Sequence, residues 1–262
     1  MTDHSVSLII TTYNWPEALN ACLRSVLGQT IRVGEVLIAD DGSEVATQGT
    51  IKHWGSKLNL IHCWVPDTAN RPAVIRNRAA AKATGDILIF IDGDCVLAKN
   101  FVHWHAKLSS PNTIVSGGRV LLSSPETIEY LGEGLLGERV SNNFKFRELH
   151  LGFLRDLINN SVGTVRTCNM SIMRRDFVKC SGFDESYVGW AREDTDFVIR
   201  AVRSGIKIRS GRCACNMFHL YHGGEKGRVS PNDHRLNALT LDRSRVQPIK
   251  SMFNSLDSDG DL

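Results

Sequence analysis

Three times in its first hundred residues the chain runs through a short apolar, β-branched stretch and stops at a polar cluster. Residues 6–10 lead into Thr11-Thr12-Tyr13-Asn14, residues 36–39 into Asp40-Asp41-Gly42-Ser43, and residues 87–91 into Asp92-Gly93-Asp94. Unbroken apolar runs of this length belong to strands covered on both faces. The segments between them carry helical signals. Pro16 suits a first helical turn, and Leu19, Cys22, Leu23, Val26 and Leu27 make one apolar stripe. A short helix is expected over 47–54, a strand over 58–65, and an alanine-rich helix over 73–83 with Gly85 as its C-terminal glycine. Alternating strands and helices predict an α/β fold: a parallel sheet with helices on both faces. Such sheets bind ligands beyond the carboxyl ends of their strands, and all three polar clusters fall there.

The second half is less regular. Strands are expected over 114–122, which holds Gly117-Gly118, over 164–174 and over 213–221. Gly182-Phe183-Asp184-Glu185 reads as a turn. Residues 193–204 read as a helix with Phe197, Val198, Ala201 and Val202 on its apolar face. The stretch 123–163 has no clear pattern. Residues 241–262 read as a C-terminal tail, polar and acidic from 254 onward. With no repeat and no low-complexity linker, residues 1–240 are expected to form one domain.

Net charge is +3, too mild to argue for nucleic acid as a partner. It suits an anionic small molecule or contact with an acidic membrane surface. No apolar run is long enough to span a bilayer, and the N-terminus has no basic-then-apolar leader, so a cytoplasmic location is expected. The seven cysteines include no C-x-x-C pair, and Cys213 with Cys215 lacks partners at zinc-site spacing. Buried free thiols in a reducing compartment are the preferred reading.

Two carboxylates flanking one glycine at a strand end, Asp92 and Asp94, can both reach an ion. Hard oxygen ligands suit Mg²⁺ or Mn²⁺ bridged to phosphate oxygens. The bland alternative is a solvated Asp-Gly turn. At the second strand end, Asp40 or Asp41 can accept from a nucleobase N–H or a ribose hydroxyl, or simply shape a turn in which Ser43 caps a helix. Arg71, Arg76, Asn77 and Arg78 precede Asp92; arginines pair with diphosphate oxygens, whereas Arg78 reads as a solvated helix face. In Gly189-Trp190-Ala191-Arg192-Glu193-Asp194, the two acids sit at a helix N-terminus that favours their ionised form. One of them can serve as general base, and Trp190 offers a flat face to a sugar ring. His219 and His222 follow an apolar run. On a strand their odd spacing would point them to opposite faces, so at most one would join a metal site with Asp94.

Taken in order, Thr11-Thr12-Tyr13-Asn14, Asp40-Asp41-Gly42-Ser43, Arg76-Asn77 and Asp92-Gly93-Asp94 resemble family 2 glycosyltransferases of the GT-A fold. The later run of Gly182-Phe183-Asp184-Glu185, Gly189-Trp190 and Glu193-Asp194-Thr195-Asp196 resembles the galactosyltransferase-like half of β-1,4-galactosyltransferases and bacterial chondroitin or heparosan polymerases. The likeness spans residues 5–224. It implies a GT-A mixed sheet flanked by helices, with a nucleotide-sugar-binding half over 1–98 and an acceptor-binding half over 99–240. It implies a UDP-sugar donor held by Thr11, Tyr13, Asn14, Asp40, Asp41, Arg71, Arg76, Asp92, Gly93 and Asn169. Asp94 would bind Mn²⁺ or Mg²⁺, with His219 as the remaining protein ligand and His222 as a further candidate. Asp194 would be the general base, and Glu193 with Trp190 would hold the acceptor. Ala191 departs from the family pattern, which has glycine there, and Cys95 stands where many members carry a third acid.

The resulting expectation is inverting transfer of a sugar from a UDP-sugar to a saccharide or lipid-linked saccharide acceptor, in bacterial polysaccharide or lipopolysaccharide synthesis. Two alternatives stand beside it. A nucleotidyltransferase would need a Gly-rich, Lys-containing loop near the N-terminus, and residues 11–16 contain neither residue. A glycan-binding, inactive relative would have no use for the full carboxylate set. Residues 144–157 mix Phe, Leu, Arg and Lys. They read as a helix over the acceptor cleft, with peripheral contact at the cytoplasmic face of the inner membrane as the other reading.

Overall fold

The computed structural model describes residues 4–133, 161–223 and 230–255. The stretch 144–157 lies outside them. Among the described residues no helix is long and apolar enough to cross a membrane.

The first half follows the predicted alternation: β1 (Val6–Thr12), α1 (Pro16–Leu27), β2 (Glu35–Asp40), α2 (Val45–Trp54), β3 (Leu60–Trp64), α3 (Pro72–Lys82) and β4 (Ile87–Asp92). These strands pair in parallel in the order β3-β2-β1-β4. Side chains alternate across the sheet with period two. Leu8, Ile10, Ile87, Ile89 and Ile91 face Leu19, Cys22 and Leu23 of α1 and Trp54 of α2. Ile9, Leu88 and Phe90 face Ala73, Ala79 and Ala80 of α3. Both faces are covered, which is why these strands read as unbroken apolar runs. Each fully buried Leu, Ile or Phe contributes roughly 1.5–3 kcal/mol.

The second half extends the sheet with mixed pairing. It comprises β5 (Cys95–Leu97), α4 (Phe101–Leu108), β6 (Thr113–Leu121), α5 (Ser124–Glu133), β7 (Asn169–Met173), α6 (Arg174–Lys179), α7 (Glu193–Arg203), β8 (Lys207–His219) and α8 (Asp233–Leu241). The full order is β3-β2-β1-β4-β7-β6-β8-β5. β7 runs antiparallel to β4 and β6, β8 runs parallel to β6, and β5 runs antiparallel to β8. This is the mixed GT-A sheet that the resemblance implied.

Several expectations are corrected. Gly85 does not cap α3, which ends at Ala83 in extended backbone (φ −72°, ψ 135°). Glycine is needed at 85 because a Cβ would lie 2.5 Å from Ser7 Oγ. The strand expected over 164–174 is confined to β7, preceded by a 3₁₀ turn (Val162–Thr164). The strand expected over 213–221 starts earlier, at Lys207, and ends at His219. Val202 is 39% exposed, since it lies a hundred degrees around the helix from Ala201. Cys213 is the exposed thiol beside six buried ones.

The segment after 240 is no tail up to residue 253. The amides of Ile249 and Lys250 donate to the Asp184 carboxylate. Asn77 Nδ2 donates to Ser251 Oγ, and Phe253 is buried beside Phe177 at 5.8 Å between ring centroids.

Candidate active site

The register of the parallel half assembles the site. Thr11 pairs with Asp92 and Thr12 with Asp40, so the carboxyl end of β1 stands between two acidic strand ends. The chain leaves β1 toward β2 on one side and returns with β4 on the other. This is a switch point of the kind where open α/β sheets bind ligands. A cavity of ≈ 700 Å³ opens there.

The two acids at the end of β2 have different fates. Asp40 is fully buried, with Oδ2 2.9 Å from His62 Nε2 and Oδ1 accepting the Ser43 N–H at 2.8 Å, and it does not line the cavity. Asp41 does. Its Oδ2 accepts the Arg71 N–H at 2.7 Å, while Oδ1 is buried with no partner among the described residues. Burial pushes its carboxyl above the usual range, against the pull of that N–H and of Arg71. An orphaned buried acceptor facing a cavity fits a ligand N–H or O–H.

Four residues near this end have supporting roles. Arg71 acts through its backbone, and its guanidinium donates to Pro66 O at 3.2 Å outside the cavity lining. Asn14 also lies outside the lining. Its amide oxygen accepts the Glu44 N–H at 2.8 Å and its N–H donates to Ser43 Oγ at 3.0 Å, fastening the first two strand ends together. Gly42, at φ +96°, cannot carry a side chain, because a Cβ would meet Asp67 at 2.6 Å. Tyr13 stands on the cavity wall, with its hydroxyl donating to Asp67 at 2.8 Å.

Arg76 is the hub. It sits in α3, which opens on Pro72, and it is buried. Nε donates to Thr11 Oγ1 at 2.9 Å, Nη2 to Asp92 Oδ1 at 3.1 Å and Nη1 to Glu193 Oε1 at 2.7 Å. Burial disfavours its charge, but Asp92 and Glu193 outweigh that and hold the guanidinium protonated. Its charge is thus committed to carboxylates, whereas the sequence alone suggested a diphosphate partner. Gly93 lets the turn after β4 close on β1, its N–H donating to Thr11 O at 2.7 Å.

Glu193 and Asp194 open α7, where the helix dipole favours negative charge. Glu193 is buried and its Oε2 has no partner among the described residues. Burial raises its pKa against the opposing pull of Arg76. Asp194 lines the cavity, with Oδ1 accepting from Thr195 N–H at 2.6 Å and Thr195 Oγ1 at 3.2 Å. Trp190 is half-exposed on the rim.

The loop before α7 is strained. Ala191 and Arg192 both adopt positive φ, +70° and +87°, each costing about 1–2 kcal/mol. The glycine of the family pattern would suit position 191. Ser230 Oγ donates to Trp190 O at 3.0 Å, Asn232 Nδ2 to Ala191 O at 3.0 Å, and Arg192 Nε to Asp233 Oδ1 at 2.6 Å. These bonds over-determine the loop and hold its strain.

Both histidines join Asp94. His219 Nε2 lies 3.6 Å from Oδ1 and His222 Nε2 lies 3.3 Å from Oδ2. The odd-spacing argument fails because β8 ends at His219, so strand alternation does not govern His222. Burial raises the Asp94 carboxyl, opposed chiefly by His219. One carboxylate between two imidazoles is a donor set that fits a divalent cation. Cys95 also lies within reach of Asp94 and His219, but it is fully buried. Desolvation and the neighbouring Asp94 charge push its thiol well above the ordinary range, so it stays a neutral donor toward Asp94 Oδ1 at 3.6 Å.

Asn169 lies beneath the site, not in it. Its Oδ1 faces His105 Nε2 at 2.9 Å, and Nδ2 donates to Gly118 O at 2.8 Å and Cys215 O at 2.9 Å. A Cβ on Gly117 would overlap this amide, which explains the first glycine of the Gly117-Gly118 pair. Asn77 exchanges two 2.9 Å bonds with the Phe183 backbone and is likewise structural. Arg78 is exposed, as its helix-face reading implied. The sequence reading missed Arg119 and Arg166, which line the cavity, and Asn232. Arg119 lies within β6 and the other two lie in loops, and none of the three belongs to a motif that sequence alone could expose.

A mixed sheet whose strand ends gather carboxylates around one cleft defines a glycosyltransferase of the GT-A class. Residues 7–182 match the profile of Glycosyl transferase family 2, and residues 149–223 match that of the N-terminal domain of galactosyltransferase. The chain belongs to glycosyltransferase family 2. It is 25% identical over 235 residues to validoxylamine A glucosyltransferase of Streptomyces hygroscopicus subsp. jinggangensis, covering 79% of this chain and 53% of that protein. It is 24% identical over 250 residues to chondroitin synthase of Escherichia coli, covering 87% of this chain and 36% of that protein. The chain thus spans about half or less of the length of these relatives. Among solved structures, S. aureus TarS 1–349 in complex with UDP-GlcNAc superposes with a TM-score of 0.62 at 18% identity, over 87% of this chain and 63% of that one.

Proposed function

We propose that the protein moves a sugar from a uridine diphosphate sugar to a saccharide hydroxyl with inversion at the anomeric carbon. The observation that carries this reading is that Asp41, Asp94, Glu193 and Asp194 line one cavity, two of them with a buried oxygen left unpartnered. The UDP-sugar in the TarS complex supports the choice of nucleotide by analogy.

Asp41 Oδ1 accepts an N–H of the base, and Tyr13 walls the base side. Asp94 with His219 and His222 would hold a divalent cation; when bound, it neutralises charge on the departing diphosphate. Glu193 Oε2 accepts from an acceptor hydroxyl and Trp190 packs on the acceptor ring. Asp194, oriented by Thr195, takes the proton from the attacking hydroxyl. Arg76 keeps Glu193 and Asp92 at fixed separation, so base and donor do not drift apart. The free thiols support a reducing compartment. A lipid-linked acceptor at a membrane surface remains compatible with this reading.

The test is UDP release from UDP-sugars in the presence of saccharide acceptors. Asp194→Asn is expected to lower kcat by at least about a thousandfold with UDP affinity unchanged, and EDTA to abolish turnover until Mn²⁺ or Mg²⁺ is restored. Wild-type turnover in Asp194→Asn, or indifference to EDTA, would remove the corresponding role.

A further inference from the structure

Among the described residues four arginines line the cavity: Arg76, Arg119, Arg166 and Arg192. Two have their charge matched by protein. Arg76 is held by Asp92 and Glu193, and Arg192 lies 2.6 Å from Asp233. Arg119 and Arg166 have no carboxylate at ion-pair distance among the described residues. Their contacts position them without neutralising them. Arg119 Nη1 lies 3.8 Å from Cys168 Sγ, whose thiol burial pushes up to about 12, so the sulfur carries no compensating charge. Arg166 Nη1 donates to Gly163 O at 3.0 Å and Val165 O at 2.7 Å, and its other N–H groups have no partner among the described residues.

The sheet decides where this charge points. β7 runs antiparallel to β4 with Asn169 opposite Ile91, so residues 166–168, just before β7, lie alongside the turn that carries Asp92 and Asp94. Arg119 reaches the same place from β6 through Cys168. Two guanidinium groups with no carboxylate partner among the described residues therefore share one cavity lining with Asp92 and Asp94. The carboxylates in the lining disfavour an anion, so an anionic ligand needs cations to meet it, and Arg119 and Arg166 are the lining arginines whose charge no described carboxylate offsets.

We propose that Arg119 and Arg166 form a subsite for an anionic oxygen group of the donor. The inference rests on the glycosyl-transfer reading and deepens it. The shared chemistry is paired oxygens met by guanidinium N–H groups, supplied either by the diphosphate or by a carboxylate on the donated sugar. It also moves the anion-pairing role from Arg76, whose charge is taken, to two arginines that sequence reasoning left aside.

The experiment is calorimetric titration of UDP, UDP-glucose and UDP-glucuronate into wild type, Arg119→Gln, Arg166→Gln and the double variant, with Mn²⁺ present. Both side chains are exposed, and unchanged melting temperatures confirm the fold. A diphosphate contact predicts that all three ligands weaken alike, about tenfold or more in the double variant. A sugar-carboxylate contact predicts that UDP-glucuronate alone weakens by that factor. If every variant binds all three within twofold of wild type, the subsite is refuted while the donor reading stands. If wild type binds none of them, the donor reading fails first and the subsite falls with it.

Discussion

Arg76 donates to Glu193 across 2.7 Å, joining residues 117 positions apart in sequence and tying α3 to the first turn of α7. The same guanidinium reaches Asp92 at 3.1 Å. One buried cation therefore fixes the distance between the turn that carries Asp92 and the helix that opens on Glu193.

Removing that cation strands two carboxylates, one of them buried. Arg76→Gln is expected to cost about 3–5 kcal/mol of stability, the usual cost of leaving a buried charge unpaired. Arg76→Lys recovers little, because a point charge cannot serve three acceptors in fork geometry. Adding Glu193→Gln to Arg76→Gln should restore part of the loss. Urea denaturation of the double-mutant cycle measures the coupling, and additive effects would disprove the hub.

Both imidazoles face Asp94, so both are expected to matter to the cation. His219→Ala and His222→Ala should each raise the Mn²⁺ concentration for half-maximal activity by about tenfold, about 1.4 kcal/mol. Asp94→Asn should abolish the response. If His222→Ala titrates like wild type, the site has one histidine only.

The docked C-terminal segment should be integral to the fold. Phe253→Ala removes a buried ring packed on Phe177 and is expected to destabilise by about 3–5 kcal/mol. Truncation after residue 247 also removes the N–H donors to Asp184 and should cost more. Thermal melts of both proteins test this, and a truncated chain melting with the full one would return the segment to the status of a tail.

Below neutral pH, His105 should weaken the fold. Its ring is fully buried between Ser171 Oγ at 2.8 Å and Asn169 Oδ1 at 2.9 Å. Because the Asn169 amide N–H groups already donate, Nε2 must carry the ring proton, and Nδ1 accepts from Ser171. Burial lowers the pKa from 6.5 to about 4. The unfolded chain therefore binds the extra proton first. The contribution is complete above pH 6.5, falls as pH drops, and is lost near pH 4, on the order of 3 kcal/mol in all. Carboxylates with raised pKa act in the opposite sense over part of this window, so the readout is the difference between wild type and His105→Gln. Parallel stability–pH curves for the two proteins would refute the role.

Much of the parallel half was legible because its signals are local. An unbroken apolar run followed by a polar stop needs only neighbours in sequence to mean a buried strand with a loop at its tip. The helix start at Pro16 and the alanine-rich helix over 73–83 are equally local signals. Where the reading went astray, the deciding partner was distant. Gly85 answers to Ser7, Asn169 to His105 and Gly117, and Phe253 to Phe177.

By itself, the sequence determined which residue types stand at the strand tips, Thr11, Asp41, Asp92 and Asp94, and that the Glu193-Asp194 pair opens a helix. Composition and short-range periodicity suffice for that, since they govern burial and backbone conformation one element at a time. Only the tertiary structure decided that Asp41 faces the cavity while Asp40 turns to His62, and that Arg76 serves carboxylates. It also decided that His222 joins His219, and that Arg119 and Arg166 line the cavity with no carboxylate partner among the described residues. Strand register and the point where each strand ends control those outcomes. They are set by packing between segments far apart in the chain, which no local pattern encodes.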